Sequence, residues 1–109
     1  MLTREDVIQN VRAFTNEILA SGVVLDKVML FGSCAEEKQT PDSDIDVVLV
    51  SDQFSGFGYE DRKSFSKINI RKEYVNIETK TYPSRYFEMG DPFIDEISKS
   101  AIVVYSSGM

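Results

Sequence analysis

Asp44 and Asp46 stand two residues apart at the head of an apolar run, Val47-Val48-Leu49-Val50. If that run is a β-strand, residues i and i+2 share a face, so the two carboxylates lie side by side with Cα atoms about 6 to 7 Å apart. Such a pair can hold one Mg2+ or bridge two ions roughly 3.5 to 4 Å apart, as in two-metal phosphoryl transfer. Without a cation the two like charges repel. Separated from Asp44 by the ten residues Cys34 through Ser43, Gly32-Ser33 closes another apolar run that ends in Leu30-Phe31. Glycine there permits a positive φ or a close backbone approach, and amides at Ser33 and Cys34 opening a helix would stabilise an anion. The Ser33 hydroxyl can donate to a phosphate oxygen. Read singly, each motif has a plainer meaning: a turn entering a strand with Asp46 facing water, or a Gly-Ser turn and nothing more. Read together, each at the right end of an expected strand, they describe a phosphate cradle beside a divalent-metal site.

The elements that must position these residues follow from periodicity. Thr3 and Asp6 form a capping-box pattern, and Val7, Val11, Phe14 and Ile18 make one helical stripe, so a helix is expected from about Arg4 to Ala20 with Gly22 at its stop. Val23 to Phe31 reads as a buried strand ending at Gly32, Ser33 to Glu37 as a short helix with Ser33 near its N-cap, and Gln39 to Ser43 as a loop. Ile45 to Val50 is the second strand. For the Gly-Ser and the Asp-x-Asp to share one end of the sheet, these two strands must run antiparallel. Ser51 to Gly58 reads as a loop, Tyr59 to Ile70 as a full helix burying Phe65 and Ile68, and Tyr74 to Thr81 as a third strand alternating Val75, Ile77, Thr79 against Asn76, Glu78, Lys80. Pro83-Ser84 starts another helix, Gly90-Asp91-Pro92 interrupts it, and Ala101 to Tyr105 is a final strand.

Composition removes several kinds of chemistry. There is no histidine among the 109 residues, which excludes a Ser-His-Asp triad, a Cys-His dyad and any His-containing zinc site. The net charge of -6 argues against direct nucleic-acid binding, which draws on many Lys and Arg contacts to phosphate. One cysteine, Cys34, allows no internal disulfide, and no apolar run approaches the roughly 20 residues needed to span a bilayer. The first residues, Met1 to Asp6, show no basic segment followed by an apolar core, so no secretory signal and a cytoplasmic setting are expected. The length fits one compact domain over residues 1–109.

Gly32-Ser33, then Cys34 through Ser43, then Asp44-Ile45-Asp46 resembles the signature of the minimal nucleotidyltransferases of the DNA polymerase β-like superfamily. The resemblance implies an α+β fold with a mixed β-sheet and helices packed on it, in the order α-β-α-β-α-β-α-β. It implies that Asp44 and Asp46 hold Mg2+ on a nucleoside triphosphate, with ATP as the expected nucleotide, while Gly32 and Ser33 grip its phosphates. It further implies a third carboxylate on the following strand, where Glu78 is the acid within the expected segment. AMP would pass to a hydroxyl, and small relatives of this kind pair as antitoxins with a HEPN-domain toxin and modify a tyrosine on it. Relatives often follow Gly-Ser with Arg-Ala-Arg-Gly, where this chain has Cys34-Ala35-Glu36-Glu37. That difference motivates an alternative, a weakened or inactive module of the same fold acting through protein contacts.

Three further features have plain readings. Cys34, with no histidine to activate it, is expected to be a passive small residue. Phe54, Phe57 and Tyr59 could stack on a base but are expected to pack beneath their loop. Lys63, Lys67, Arg71 and Lys72 are expected to form a solvated helix face.

Overall fold

The structure, a computed structural model, describes residues 3–38 and 43–108. The chain begins with α1 (Arg4–Ala20), capped as its sequence requires: Thr3 accepts from the Asp6 amide while the Asp6 side chain accepts from the Thr3 amide. Its apolar stripe of Val7, Val11, Phe14 and Ile18 is at most 1% exposed. Each side chain so buried contributes on the order of 1.5 to 3 kcal/mol to holding α1 against the sheet. At its far end, Glu17 accepts from the Tyr74 hydroxyl at 2.5 Å and pairs with Arg71. The bond to Glu17, with burial and the nearby charge adding to it, pushes the Tyr74 phenol up to about 12.

Four strands form one sheet in the order β3-β2-β1-β4, with β1 Lys27–Phe31, β2 Ile45–Val50, β3 Ile77–Tyr82 and β4 Ile102–Ser106. β1 runs antiparallel to β2 and β4, and β2 runs parallel to β3. Both faces are covered. Val28, Leu30, Val47 and Leu49 pack with α1 and with Phe65 and Ile68 on one side, while Met29, Phe31, Val48 and Val50 pack with Ile97, Phe87 and Phe93 on the other. This double burial is why β2 reads as a continuous apolar run after Asp46.

The α+β architecture with a mixed sheet is as expected, and the element boundaries differ in four places. β1 starts at Lys27 and not at Val23, because Val23 to Leu25 is tied to the next loop: the Val24 amide donates to Gln53 Oε1 at 3.0 Å and its carbonyl accepts from the Ser51 hydroxyl at 2.5 Å. The expected helix after Gly32 is a single 3-10 turn, Gly32–Cys34, in which Phe31 and not Ser33 holds the cap position. The expected helix from Tyr59 to Ile70 is two short ones, α2 Gly58–Arg62 and α3 Ser66–Asn69. Phe65 breaks it by leaving helical φ/ψ to sit between Phe14 and Phe54, and the Ser64 hydroxyl takes up the Asp61 carbonyl at 2.8 Å. β3 begins at Ile77 because the Ile77 amide turns back to the Tyr74 carbonyl at 3.0 Å, leaving Val75 outside the strand and 58% exposed. Most of the loop expected over Gln39 to Ser43 lies outside the described residues. α4 Ser84–Met89 and α5 Pro92–Ser98 flank Gly90-Asp91 as the sequence predicts. Among the described residues no helix is long and apolar enough to cross a membrane.

Candidate active site

Register brings the sequence-predicted residues to one end of the sheet. Phe31, the last residue of β1, lies opposite Asp46 near the start of β2, and Asp46 lies opposite Glu78 near the start of β3. The antiparallel pairing of β1 with β2 therefore carries Gly32 and Ser33 to the same edge as the Asp-x-Asp. Because β2 and β3 are parallel and in step, Asp46 and Glu78 also point to one face.

Gly32 has a specific reason to be glycine. Its φ is +74°, and a Cβ built there would lie 2.5 Å from Asp46 Oδ2 and 3.3 Å from Asp46 Cγ. Only a residue without a side chain lets the chain turn directly beneath that carboxylate. The 3-10 turn is then fixed by amides of Ala35 and Glu36 reaching the Gly32 carbonyl at 3.1 and 3.2 Å, and by the Lys38 amide reaching the Ser33 carbonyl at 2.8 Å. Cys34 is buried, and its thiol donates to the Asp44 carbonyl at 3.6 Å, stitching the turn to the acid pair. Burial, helped by the Asp46 charge, pushes the Cys34 thiol up, which suits a passive residue.

Two of the three carboxylates respond to their neighbours. The Asp44 charge is the main influence raising the Glu78 carboxyl above its ordinary value, followed by desolvation, by Asp46 and by a hydrogen bond with Asp44. Asp46 is raised chiefly by burial and then by Asp44, with Lys80 pulling the other way. Among the described residues no group of three His, Cys, Asp or Glu side chains is arranged so that it already holds the geometry of a metal site. The donor set nonetheless fits a hard divalent cation: it is all oxygen, it is electrostatically frustrated, and a cation removes the frustration.

A cavity of about 420 Å³ opens against Asp46 and Glu78, walled by Phe31, Ile77 and Thr79 and rimmed by Arg62, Asn69 and Lys80. Thr79 Oγ1 is buried with no hydrogen-bond partner among the described residues. Sequence reading had passed over these four polar residues. Lys80 was within reach of it, since it stands two residues after Glu78 on the same strand face. Arg62 was not, because its placement depends on the break between α2 and α3. The expected basic stripe lies elsewhere: Lys63 pairs with Glu60 at 3.2 Å, Arg71 pairs with Glu17, and none of Lys63, Lys67, Arg71 and Lys72 lines this cavity. Of the loop aromatics, Phe54 packs as expected, whereas Phe57 and Tyr59 are 73% and 71% exposed. Phe57 holds the cap position of α2 and Tyr59 lies in its first turn.

Comparison with known proteins agrees with this geometry. The model of the nucleotidyltransferase domain family matches residues 11–104. Among solved structures, a candidate nucleotidyltransferase from Sulfolobus solfataricus has a similar fold, with a TM-score of 0.66 and 18% sequence identity over 96% of this chain and 85% of that one. No curated protein matches in sequence.

Proposed function

Because the chain belongs to the nucleotidyltransferase domain family, we propose that Asp44, Asp46 and Glu78 form its catalytic centre and that it transfers a nucleoside monophosphate, AMP from ATP, to a hydroxyl. The observation that carries this reading is the alignment of Asp46 with Glu78 across β2 and β3, above Gly32 and beside the 420 Å³ cavity. Mg2+ held by the three carboxylates would neutralise charge on the phosphates during transfer. The acceptor oxygen attacks the α-phosphorus, the bond from that phosphorus to the bridging oxygen breaks, and pyrophosphate departs with its electron pair. Glu78 would help activate the acceptor hydroxyl, whose proton leaves as the new bond forms. Gly32 and Ser33 hold the phosphates at the turn. Positioning supplies much of the rate.

The acceptor in this proposal is a tyrosine on a HEPN-domain partner in the cytoplasm, with this chain as the antitoxin. The rival reading of an inactive binding module draws on Glu36 and Glu37. Those carboxylates pair with Lys38 and Arg4, each at 3.6 Å, which lessens their charge beside the turn and favours the active reading. Titrating ATP with Mg2+ into wild type and into Asp44→Asn/Asp46→Asn tests the centre; equal affinity removes the assignment. Transfer of label from α-labelled ATP to a co-expressed HEPN protein, lost in Asp46→Asn, tests the reaction and the partner.

A further inference from the structure

A triphosphate entering a site with three carboxylates needs cations of the protein's own in addition to a divalent metal, and two line the acid cavity: Arg62 and Lys80. Among the described residues neither forms an ion pair, whereas Arg4, Lys38, Lys63, Arg71 and Lys99 each have a carboxylate partner. Lys80 Nζ lies 5.0 Å from the centre of the Phe93 ring, which leaves its charge available. Both residues also line a second cavity of about 250 Å³ that continues along β3 past Thr79 and is bounded by Gly56 and Gly58. Thr79 lines both spaces.

The placement of Arg62 is built. Asp61, the residue before it, is 6% exposed and accepts hydrogen bonds from the Ser55 amide at 2.8 Å, the Ser55 hydroxyl at 2.9 Å, the Gly56 amide at 2.9 Å and the Thr81 hydroxyl at 2.7 Å. These bonds fasten α2 and its preceding loop to β3. A Cβ on Gly58 would come within 2.7 Å of Arg62 Nη1, so the guanidinium lies back over the start of its own helix.

We propose that Arg62 and Lys80 are the cation pair that receives the triphosphate, and that Asp61 is the positioning residue that sets Arg62. The inference rests on the nucleotidyl-transfer reading and adds which side chains take the charge of the departing pyrophosphate. Arg62 contributes a planar fork suited to phosphate oxygens and Lys80 a compact charge.

Calorimetric titration of ATP and of AMP, each with Mg2+, into wild type, Arg62→Gln, Arg62→Lys, Lys80→Gln, Asp61→Asn and Arg62→Gln/Asp61→Asn tests this. Arg62→Gln and Lys80→Gln are expected to weaken ATP about tenfold or more and AMP less than about threefold, with Arg62→Lys recovering part of the loss. Asp61→Asn is expected to weaken ATP in the wild-type background and to add nothing once Arg62 is gone, although its loss of thermal stability persists in both. Thr81→Val, which removes one of the four bonds, serves the same cycle if Asp61→Asn does not fold. Wild-type ATP affinity in Arg62→Gln and Lys80→Gln, or an equal loss for AMP, overturns the cation pair. An additive effect of Asp61→Asn on ATP affinity overturns its positioning role. If wild type is sensitive to Asp46→Asn while indifferent to both cations, only this inference falls. If wild type binds no nucleotide, the transfer reading falls and takes the inference with it.

Discussion

Asp61 and the Asp44–Asp46–Glu78 trio meet β3 three residues apart, at Thr81 and at Glu78, and their environments are opposite. Burial works to raise the Asp61 carboxyl, yet hydrogen bonds from Ser55, Thr81 and Gly56 outweigh it and hold the group below its ordinary value. At Asp46 and Glu78 burial and like charge act with little to oppose them, and both carboxyls are raised. One acid is surrounded by donors and holds the structure together; Asp46 and Glu78 face like charge at an open cavity. Carboxylates kept in mutual repulsion next to a space large enough for a ligand mark where function is drawn from the fold.

Substitution should separate the two centres most sharply. Asp46→Asn is expected to lower nucleotidyl transfer by about 100-fold or more while leaving the melting temperature unchanged or higher, since it removes a charge that its neighbours oppose. Asp61→Ala is expected to cost about 3 kcal/mol of stability, because four donors lose their acceptor in a buried setting. Thermal melts and α-label transfer on both proteins check this; a drop of more than about 5 °C in Asp46→Asn would erase the contrast.

Gly32→Ala tests how closely the turn and the acid are fitted. A methyl group 2.5 Å from Asp46 Oδ2 at φ +74° forces the carboxylate or the backbone to move. A loss of about 1 to 3 kcal/mol is expected, with a larger relative loss of transfer than of stability. Wild-type transfer in a folded Gly32→Ala protein would show that the close approach has no part in the chemistry.

Acid titration sharpens the same comparison. Asp61 is lowered, so its contribution is whole above the ordinary value of 3.8 and is lost as pH falls through its lower folded value, as it is for the lowered Asp6, Glu17 and Asp91. Asp46 and Glu78 are raised, so the native state takes their protons first and the repulsion is relieved as pH falls through their folded values toward 3.8 and 4.5. Chemical denaturation without divalent metal should show stability rising as pH descends into that window and falling below it. Glu78→Gln should flatten the rise, and an unchanged rise would assign it to other groups.

Cys34 gives the smallest expected effect. Buried and raised, it should react slowly with a thiol reagent in the native state, and Cys34→Ser should keep wild-type transfer within about threefold. Fast labelling or lost activity would give the thiol a role in the site.

How much of this was legible in the sequence depends on how local each cause is. α1 was readable to the residue because its stripe and capping box lie within one segment. The Gly-Ser and Asp-x-Asp could be assigned to one end of the sheet by spacing and strand direction alone. Glu78 came only through the family resemblance, and it stands opposite Asp46 because β2 and β3 are parallel, which no local pattern encodes. Arg62 and the break at Phe65 were hidden, since Phe65 leaves the helix to meet Phe14 and Phe54, partners far away in sequence. The exposure of Phe57 and Tyr59 likewise depends on how α2 is set, which no local pattern carries.

β2 is bonded on both sides, to β1 and to β3, whereas α2 has five residues and rests on the β3 side of the sheet. The two halves of the site therefore keep different time. Amides along β2 beside Asp46 can exchange with solvent only when the whole molecule opens, while those of α2 beside Arg62 can exchange by a smaller opening. Asp46 is held for as long as the fold itself, and the cation proposed to face it is renewed on a faster clock.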